Sequence, residues 1–218
     1  MPVPARTNAV QQHSLSTTGL VELEAELEGL TPIMHNRVSM ETLEKIRNKE
    51  KAPKTAPKGT PREECETKVY VDSEGWPYIP TECLFSCLVN AGQHVRLDGK
   101  RQVSTTKSTM LPGFLTLLDA HLRMHLPGEP RKKAAWEVDM RQGKNPNGGE
   151  LVCICRPRFD LWAVTANVQI DTNEIGEDVI RQLFDIAGRR IGLLDFRPNR
   201  KGIYGQFIIR RWETKKDK

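Results

Sequence analysis

The stretch WAVTANVQIDTNEIGEDVIRQLFDIAGRRIGLLDFRPNRKGIYGQFIIRRW, residues 162–212, decides the fold of this chain. Residues 162–170 mix β-branched and aromatic side chains with Asn and Gln, which predicts a strand. Asp171 or Thr172 stands where a helix cap belongs, and Val179, Ile180, Leu183, Phe184 and Ala187 make one broad apolar face over residues 176–188. Gly188 ends that helix, residues 195–205 form a basic glycine-containing loop, and residues 206–212 return as a strand. The expected order is therefore strand, helix, basic loop, strand.

Working outward, Val21, Leu23, Ala25 and Leu27 alternate with Glu22, Glu24, Glu26 and Glu28. A strict period of two predicts a half-buried strand whose outer face is acidic. That face repels nucleic acid and suits solvent or a partner. Residues 38–50 show helical spacing with Ser39 as cap, and residues 81–91 predict a helix capped by Thr81 and stopped by Gly92. Short strands are expected at 68–72, 136–140 and 151–155, the last broken by Arg156-Pro157-Arg158-Phe159, with a turn over 73–80. Residues 114–126 fit a helix or a strand. The Pro- and Lys-rich residues 51–64 predict a mobile loop, and residues 97–113 an extended hairpin or loop.

Helices alternating with β-hairpins predict an α+β fold: an antiparallel sheet with helices on one face, most commonly ferredoxin-like or RNA-recognition-motif-like. The expected organisation is a disordered arm over 1–19 and one domain over 20–212. Loop insertions interrupt that domain at about 47–67 and 97–113, and a basic tail covers 213–218.

The chain has 218 residues, 38% hydrophobic and 28% charged, with a mean hydropathy of −0.53. This is a globular balance. No apolar run approaches the roughly 18 residues of a membrane span, and residues 1–19 lack the apolar stretch of a secretory signal. Five cysteines without framework spacing argue against a disulfide scaffold. The expectation is a cytoplasmic protein in a reducing compartment.

The charge is unevenly placed. Residues 188–218 hold ten basic and three acidic residues, more than the whole chain's net +5, so the remainder is slightly acidic. Concentrated cations are the footprint of a polyanion binder, although a solvated C-terminal edge has the same composition. Within the loop, Arg197, Arg200 and Lys201 supply cations, Gly192, Gly202 and Gly205 permit close approach, and Phe196, Tyr204 and Phe207 offer stacking faces. Cation, glycine and aromatic together suit a single-stranded nucleic acid. Arg189 and Arg190 precede them, and Lys107 lies in the 97–113 segment. A second candidate is the loop after the first strand, where His35, Asn36 and Arg37 can bond phosphate or ribose.

Other chemistry finds little support. The chain has no GxGxxG, GxxxxGK[ST], GxSxG or HExxH sequence. Cys83 and Cys87, and His121 and His125, are each spaced i, i+4 without complementary ligands, and Cys153 and Cys155 share a strand face. All three pairs read as packing, with no metal or cofactor expected. His35 alone offers a general acid or base for metal-independent RNA cleavage.

Two pieces taken together resemble the repeat-associated mysterious protein (RAMP) superfamily, the RNA-binding proteins of CRISPR effector complexes. One is the first strand running into GLTPIMHNR, residues 29–37. The other is the closing helix, the GRRIGLLDFRPNRKGIYGQF loop and the strand after it. The resemblance implies a ferredoxin-like or RNA-recognition-motif core with long insertions that contact neighbours or splay bases. It implies backbone subunits lined up side by side along a guide RNA, and relatives that cut RNA with a histidine. The chain is shorter than larger backbone subunits, as a phage or mobile-element relative would be.

The expected function is thus a non-catalytic RNA-binding protein coating a guide-type RNA as a homo-oligomer. Its RNA contacts are His35, Asn36, Arg37, Lys107, Arg189, Arg190, Arg197, Arg200, Lys201 and Tyr204, with a complementary DNA or RNA target as a further partner. The alternatives are an endonuclease using His35 and an adaptor whose basic tail pairs with an acidic partner.

Overall fold

The computed structural model describes residues 19–50, 59–97, 99–144, 149 and 151–215. In chain order the strands are β1 (Leu20–Gly29), β2 (Ile33–Met34), β3 (Tyr78–Pro80), β4 (Arg96–Leu97), β5 (Arg101–Gln102), β6 (Leu115–Leu117), β7 (His121–Leu126), β8 (Glu129–Lys133), β9 (Glu137–Lys144), β10 (Leu151–Phe159), β11 (Ala163–Asp171) and β12 (Phe207–Thr214). The helices are α1 (Met40–Arg47), α2 (Pro61–Glu66), α3 (Thr81–Ala91) and α4 (Glu177–Ile186).

The main sheet runs β12-β1-β11-β7-β3, with β6 also paired to β11 and β8 to β7. Its pairings are antiparallel. Taking β1, α3, β6 with β7, β11, α4 and β12 as successive units, the spatial order is fourth, first, third, second. This is the split βαβ pattern of a ferredoxin-like fold.

The alternation in β1 decides which face the helices cover. Leu23, Ala25 and Leu27 are fully buried and join one core with Leu84, Leu88 and Ala91 of α3 and Ile180, Leu183 and Phe184 of α4. Burial removes this apolar surface from water and supplies the main driving force for docking the helices. Glu22, Glu24, Glu26 and Glu28 point the other way, across the sheet from Gln169, Asn167, Thr165 and Ala163. That open face is the one an RNA-recognition motif uses for stacking bases. Here it is a row of carboxylates, three of them paired with Arg210 and Arg211 of β12.

A second, smaller sheet, β2-β10-β9, stands beside the first. It is tied to the main sheet where the chain leaves β1: Trp162 donates its indole N–H to the carbonyl of Thr31, 2.9 Å. Among the described residues no helix is long and apolar enough to cross a membrane.

Several local expectations change. Residues 68–72 carry only an isolated bridge between Val71 and Pro77, and the strand falls instead on Tyr78–Pro80, inside the expected turn. Residues 114–126 are strands because β11 and β3 offer pairing partners. Strand β10 continues through Pro157, since Arg158 and Phe159 pair with β2. Residues 51–58 of the expected mobile loop lie outside the described residues, as do 1–18 of the arm and 216–218 of the tail. Pro61–Glu66 is a helix with a reciprocal capping box between Thr60 and Glu63.

Two caps are also reassigned. Pro80, not Thr81, precedes α3, because the Thr81 hydroxyl donates to the Asp119 carbonyl. Gly176 precedes α4, because Asp171 accepts from the Asn173 N–H and Thr172 donates to Gly19. Ser39 does cap α1, accepting from the Thr42 N–H at 3.2 Å.

Candidate nucleic-acid interface

The interface begins where α4 ends. Residues Ala187–Ile191 widen into a π turn, a form often found at functional sites. Ala187, Gly188 and Ile191 are buried, which leaves Arg189 and Arg190 outside. The following loop is folded on itself: Leu193 N–H donates to Gly205 O at 2.8 Å, Gly202 N–H to Arg197 O at 3.0 Å, and Tyr204 N–H to Phe196 O at 3.0 Å. Gly192, Leu194, Phe196, Lys201 and Gly205 all have positive φ. Only so tight a path returns the chain to β12 in register.

This loop meets the segment after β1. Gly205 N–H donates to Pro32 O at 2.8 Å, Leu30 N–H to Gln206 O at 2.8 Å, and Asp195 bridges to Met34. The two pieces quoted for the RAMP resemblance therefore form one structural unit. A concavity of about 220 Å³ lies on this junction, lined by Asn36, Tyr70, Cys83, Leu194, Asp195 and Arg197. It adjoins another of about 160 Å³ that extends along α3 past Glu82, Ser86, Cys87 and Asn90 to Gly192, with Cys83, Leu194 and Arg197 common to both. Burial pushes the Cys87 thiol up to about 12, so it remains a neutral wall.

Arg189, Arg190, Arg200 and Lys201 are exposed. Arg197 is half-buried, with its guanidinium donating to the Leu194 carbonyl. Among the described residues none of these five has an ion-pair partner, and neither does the exposed Arg37. The loop's one acid, Asp195, is held by Arg156 at 2.6 Å. Farther along the C-terminal segment two arginines are spent: Arg211 pairs with Glu24, Glu26 and Glu213, and Arg210 with Glu28. The C-terminal charge thus splits into an unneutralised part around the loop and a part that offsets the acidic sheet face.

Other expected contacts separate from this cluster. His35 is fully buried beneath it. Its Nδ1 accepts the Tyr70 N–H at 3.1 Å, which places the proton on Nε2, 3.2 Å from the Met124 Sδ. The Tyr70 and Phe159 rings flank it at 5.4 and 4.7 Å. Desolvation lowers its pKa to about 3. A neutral imidazole without a solvent face can neither bind phosphate nor reach a scissile bond, so its expected RNA and catalytic roles are corrected to a structural one. Phe207, expected as a stacking face, is fully buried in the core. Lys107 is exposed on the separate turn bridged by Ser104 and Thr109.

A larger open cavity of about 420 Å³ lies between α3 and β6. Its lining is mainly apolar with Glu82 and Asp119, which suits no phosphate. Among the described residues no group of His, Cys, Asp or Glu has the arrangement of a metal site. His121 packs 4.6 Å from the Tyr78 ring, and His125 is buried with Nδ1 3.0 Å from the Leu126 carbonyl.

Sequence reasoning did not find Arg141. Its guanidinium grips Asp139 at 2.5 and 2.8 Å, bonds the Tyr204 hydroxyl, and lies over the Phe196 and Tyr204 rings at 5.6 and 4.9 Å. Sixty-three positions separate Arg141 from Tyr204, and no local pattern links them.

No protein-family model and no curated protein sequence matches the chain. Among solved structures it is similar to a chain in the cryo-EM structure of the type III-B Cmr-beta complex bound to cognate target RNA. The TM-score is 0.51 and the identity 12%, over 91% of this chain and 61% of that one. The chain thus spans about three fifths of that neighbour's length. A looser likeness, TM-score 0.42 and 10% identity, is to Cmr6 from Pyrococcus furiosus, over 87% of this chain and 98% of that one. The first likeness shows a shared fold, the one expected from the RAMP resemblance.

Proposed function

We propose that the chain is an RNA-binding subunit of an RNA-guided complex, holding single-stranded, guide-type RNA against the loop after α4 without cutting it. The observation that carries this reading is that Arg37, Arg189, Arg190, Arg197, Arg200 and Lys201 stand without ion-pair partners among the described residues, on the two chain segments that meet at the loop after α4. Farther along the C-terminal segment, Arg210 and Arg211 are matched by glutamates. The shared fold with a chain from an RNA-bound complex supports the reading. Copies bound side by side along the RNA then account for coating, with Asn36 facing the strand near Arg197 and Lys107 reaching it from its own hairpin. The strand runs over the loop edge, because on the open sheet face Arg210 and Arg211 are already paired with glutamates.

The test is the salt dependence of binding to a labelled single-stranded RNA. Counterion release gives a slope of about −0.7 per phosphate contact on a single strand. Changing Arg197, Arg200 and Lys201 together to Ala is expected to flatten the slope by about 2 and to weaken binding roughly a hundredfold near 0.1 M salt. No binding by the parent at low salt, or an unchanged slope in the triple variant, sinks the reading. Complexes that grow stepwise with RNA length are the expected signature of coating.

A further inference from the structure

The geometry points to a stacking subsite for one unpaired nucleobase, formed by the exposed part of the Phe196 ring, with the Arg141 guanidinium over the ring's other side and Tyr204 as its brace. The inference rests on the RNA-binding reading and deepens it by naming what that site takes besides phosphate.

Phe196 is an aromatic residue held at φ 52. An L-residue with a bulky side chain avoids that region, because Cβ crowds the following carbonyl. Strain of this kind persists only where the surroundings over-determine it. They do so here. Phe196 N–H donates to Asp195 Oδ1 at 2.9 Å, and Asp195 is itself anchored by Arg156. The Phe196 carbonyl accepts the Tyr204 N–H, and a Cβ on Gly202 would lie 1.8 Å from that oxygen.

The conformation does not serve the core. It leaves Phe196 37% exposed, whereas Phe207, at the start of β12, is fully buried. The ring is nevertheless fixed. Tyr204 meets it edge-on at 5.7 Å and 74°, and the Tyr204 hydroxyl bonds Arg141. Arg141 is in turn gripped by Asp139, which Arg158 also holds at 3.0 Å. A partly exposed aromatic ring, backed by a planar guanidinium, and unpaired cations on the same loop are the parts that stack a base and hold its phosphates. Stacking on a ring face does not distinguish bases, so the subsite takes any unpaired one.

The test compares an RNA strand with an abasic strand of the same length and charge, titrated against the full chain. The parent is expected to prefer the intact strand by roughly tenfold for this base. Asn tolerates positive φ, so Phe196→Asn relieves the strain while removing the ring. That variant should melt no lower than the parent and lose the tenfold preference. Phe196→Trp, which keeps a ring, should retain it. Equal affinity of the parent for both strands overturns the subsite but leaves RNA binding standing. Absence of binding to either strand removes the function reading itself. A Phe196→Asn chain that melts well below the parent shows Phe196 to be a packing residue, and a full preference in that variant excludes it from the site.

Discussion

Between pH 6.5 and 4.5 the parent should lose about 2 kcal/mol of stability that a His35→Gln variant keeps, the loss approaching 1.36 kcal/mol per pH unit once the unfolded imidazole is fully protonated. The cause is the burial of the imidazole between Tyr70, Phe159 and Met124, which lowers its pKa to about 3. In the unfolded chain the same group titrates near 6.5. The unfolded state therefore binds a proton first as the pH falls, and acid favours unfolding. The contribution is fully present above about pH 6.5 and is lost progressively toward pH 3. Denaturant titrations of both chains at the two pH values measure it. Subtracting the variant removes the carboxylates common to both, and parallel losses in the two chains would mean that His35 is solvated. The same burial keeps the imidazole away from any group in the solvent.

Gly205→Ala should cost about 3 kcal/mol, the sum of a left-handed residue's penalty and a forced backbone shift. Gly205 has φ 70, and a Cβ there would lie 2.1 Å from the Leu193 carbonyl oxygen and 2.9 Å from its nitrogen. These are backbone atoms that cannot rotate away. Residue 205 also donates to Pro32 and accepts from Leu193, so the shift breaks the junction between the loop and the segment after β1. For a domain of this size the melting temperature should fall by roughly 10 °C. Gly128→Ala is the control: its φ is 74, with nothing within 4 Å of the added Cβ. It pays the left-handed penalty alone, so equal melting of the two variants would refute the close approach to Leu193.

Much of the fold was legible because it depends on local periodicity. The glutamate alternation from 22 to 28 predicted a strand with an acidic outer face, and β1 has one. The apolar face around Val179 to Phe184 predicted α4. The errors fall where a distant partner decides. Tyr78–Pro80 becomes a strand because β7 lies beside it, and β10 runs through Pro157 because β2 pairs beyond it. Thr81 has the side chain of a cap but spends its hydroxyl on Asp119.

The candidate site divides the same way. Sequence alone determined that cations and glycines crowd the last fifth of the chain, since composition and spacing are properties of the string. Only the tertiary structure decided which cations remain free. Arg210 and Arg211 are consumed because β12 lies against β1 and its glutamates, whereas Arg197, Arg200 and Lys201 stand on a loop with no acid to spare. It also decided that His35 sits in the core while Phe196 and Arg141 meet at the surface. Charge pairing, desolvation and ring contact depend on distance in space, and chain spacing carries that distance only within one helix or strand.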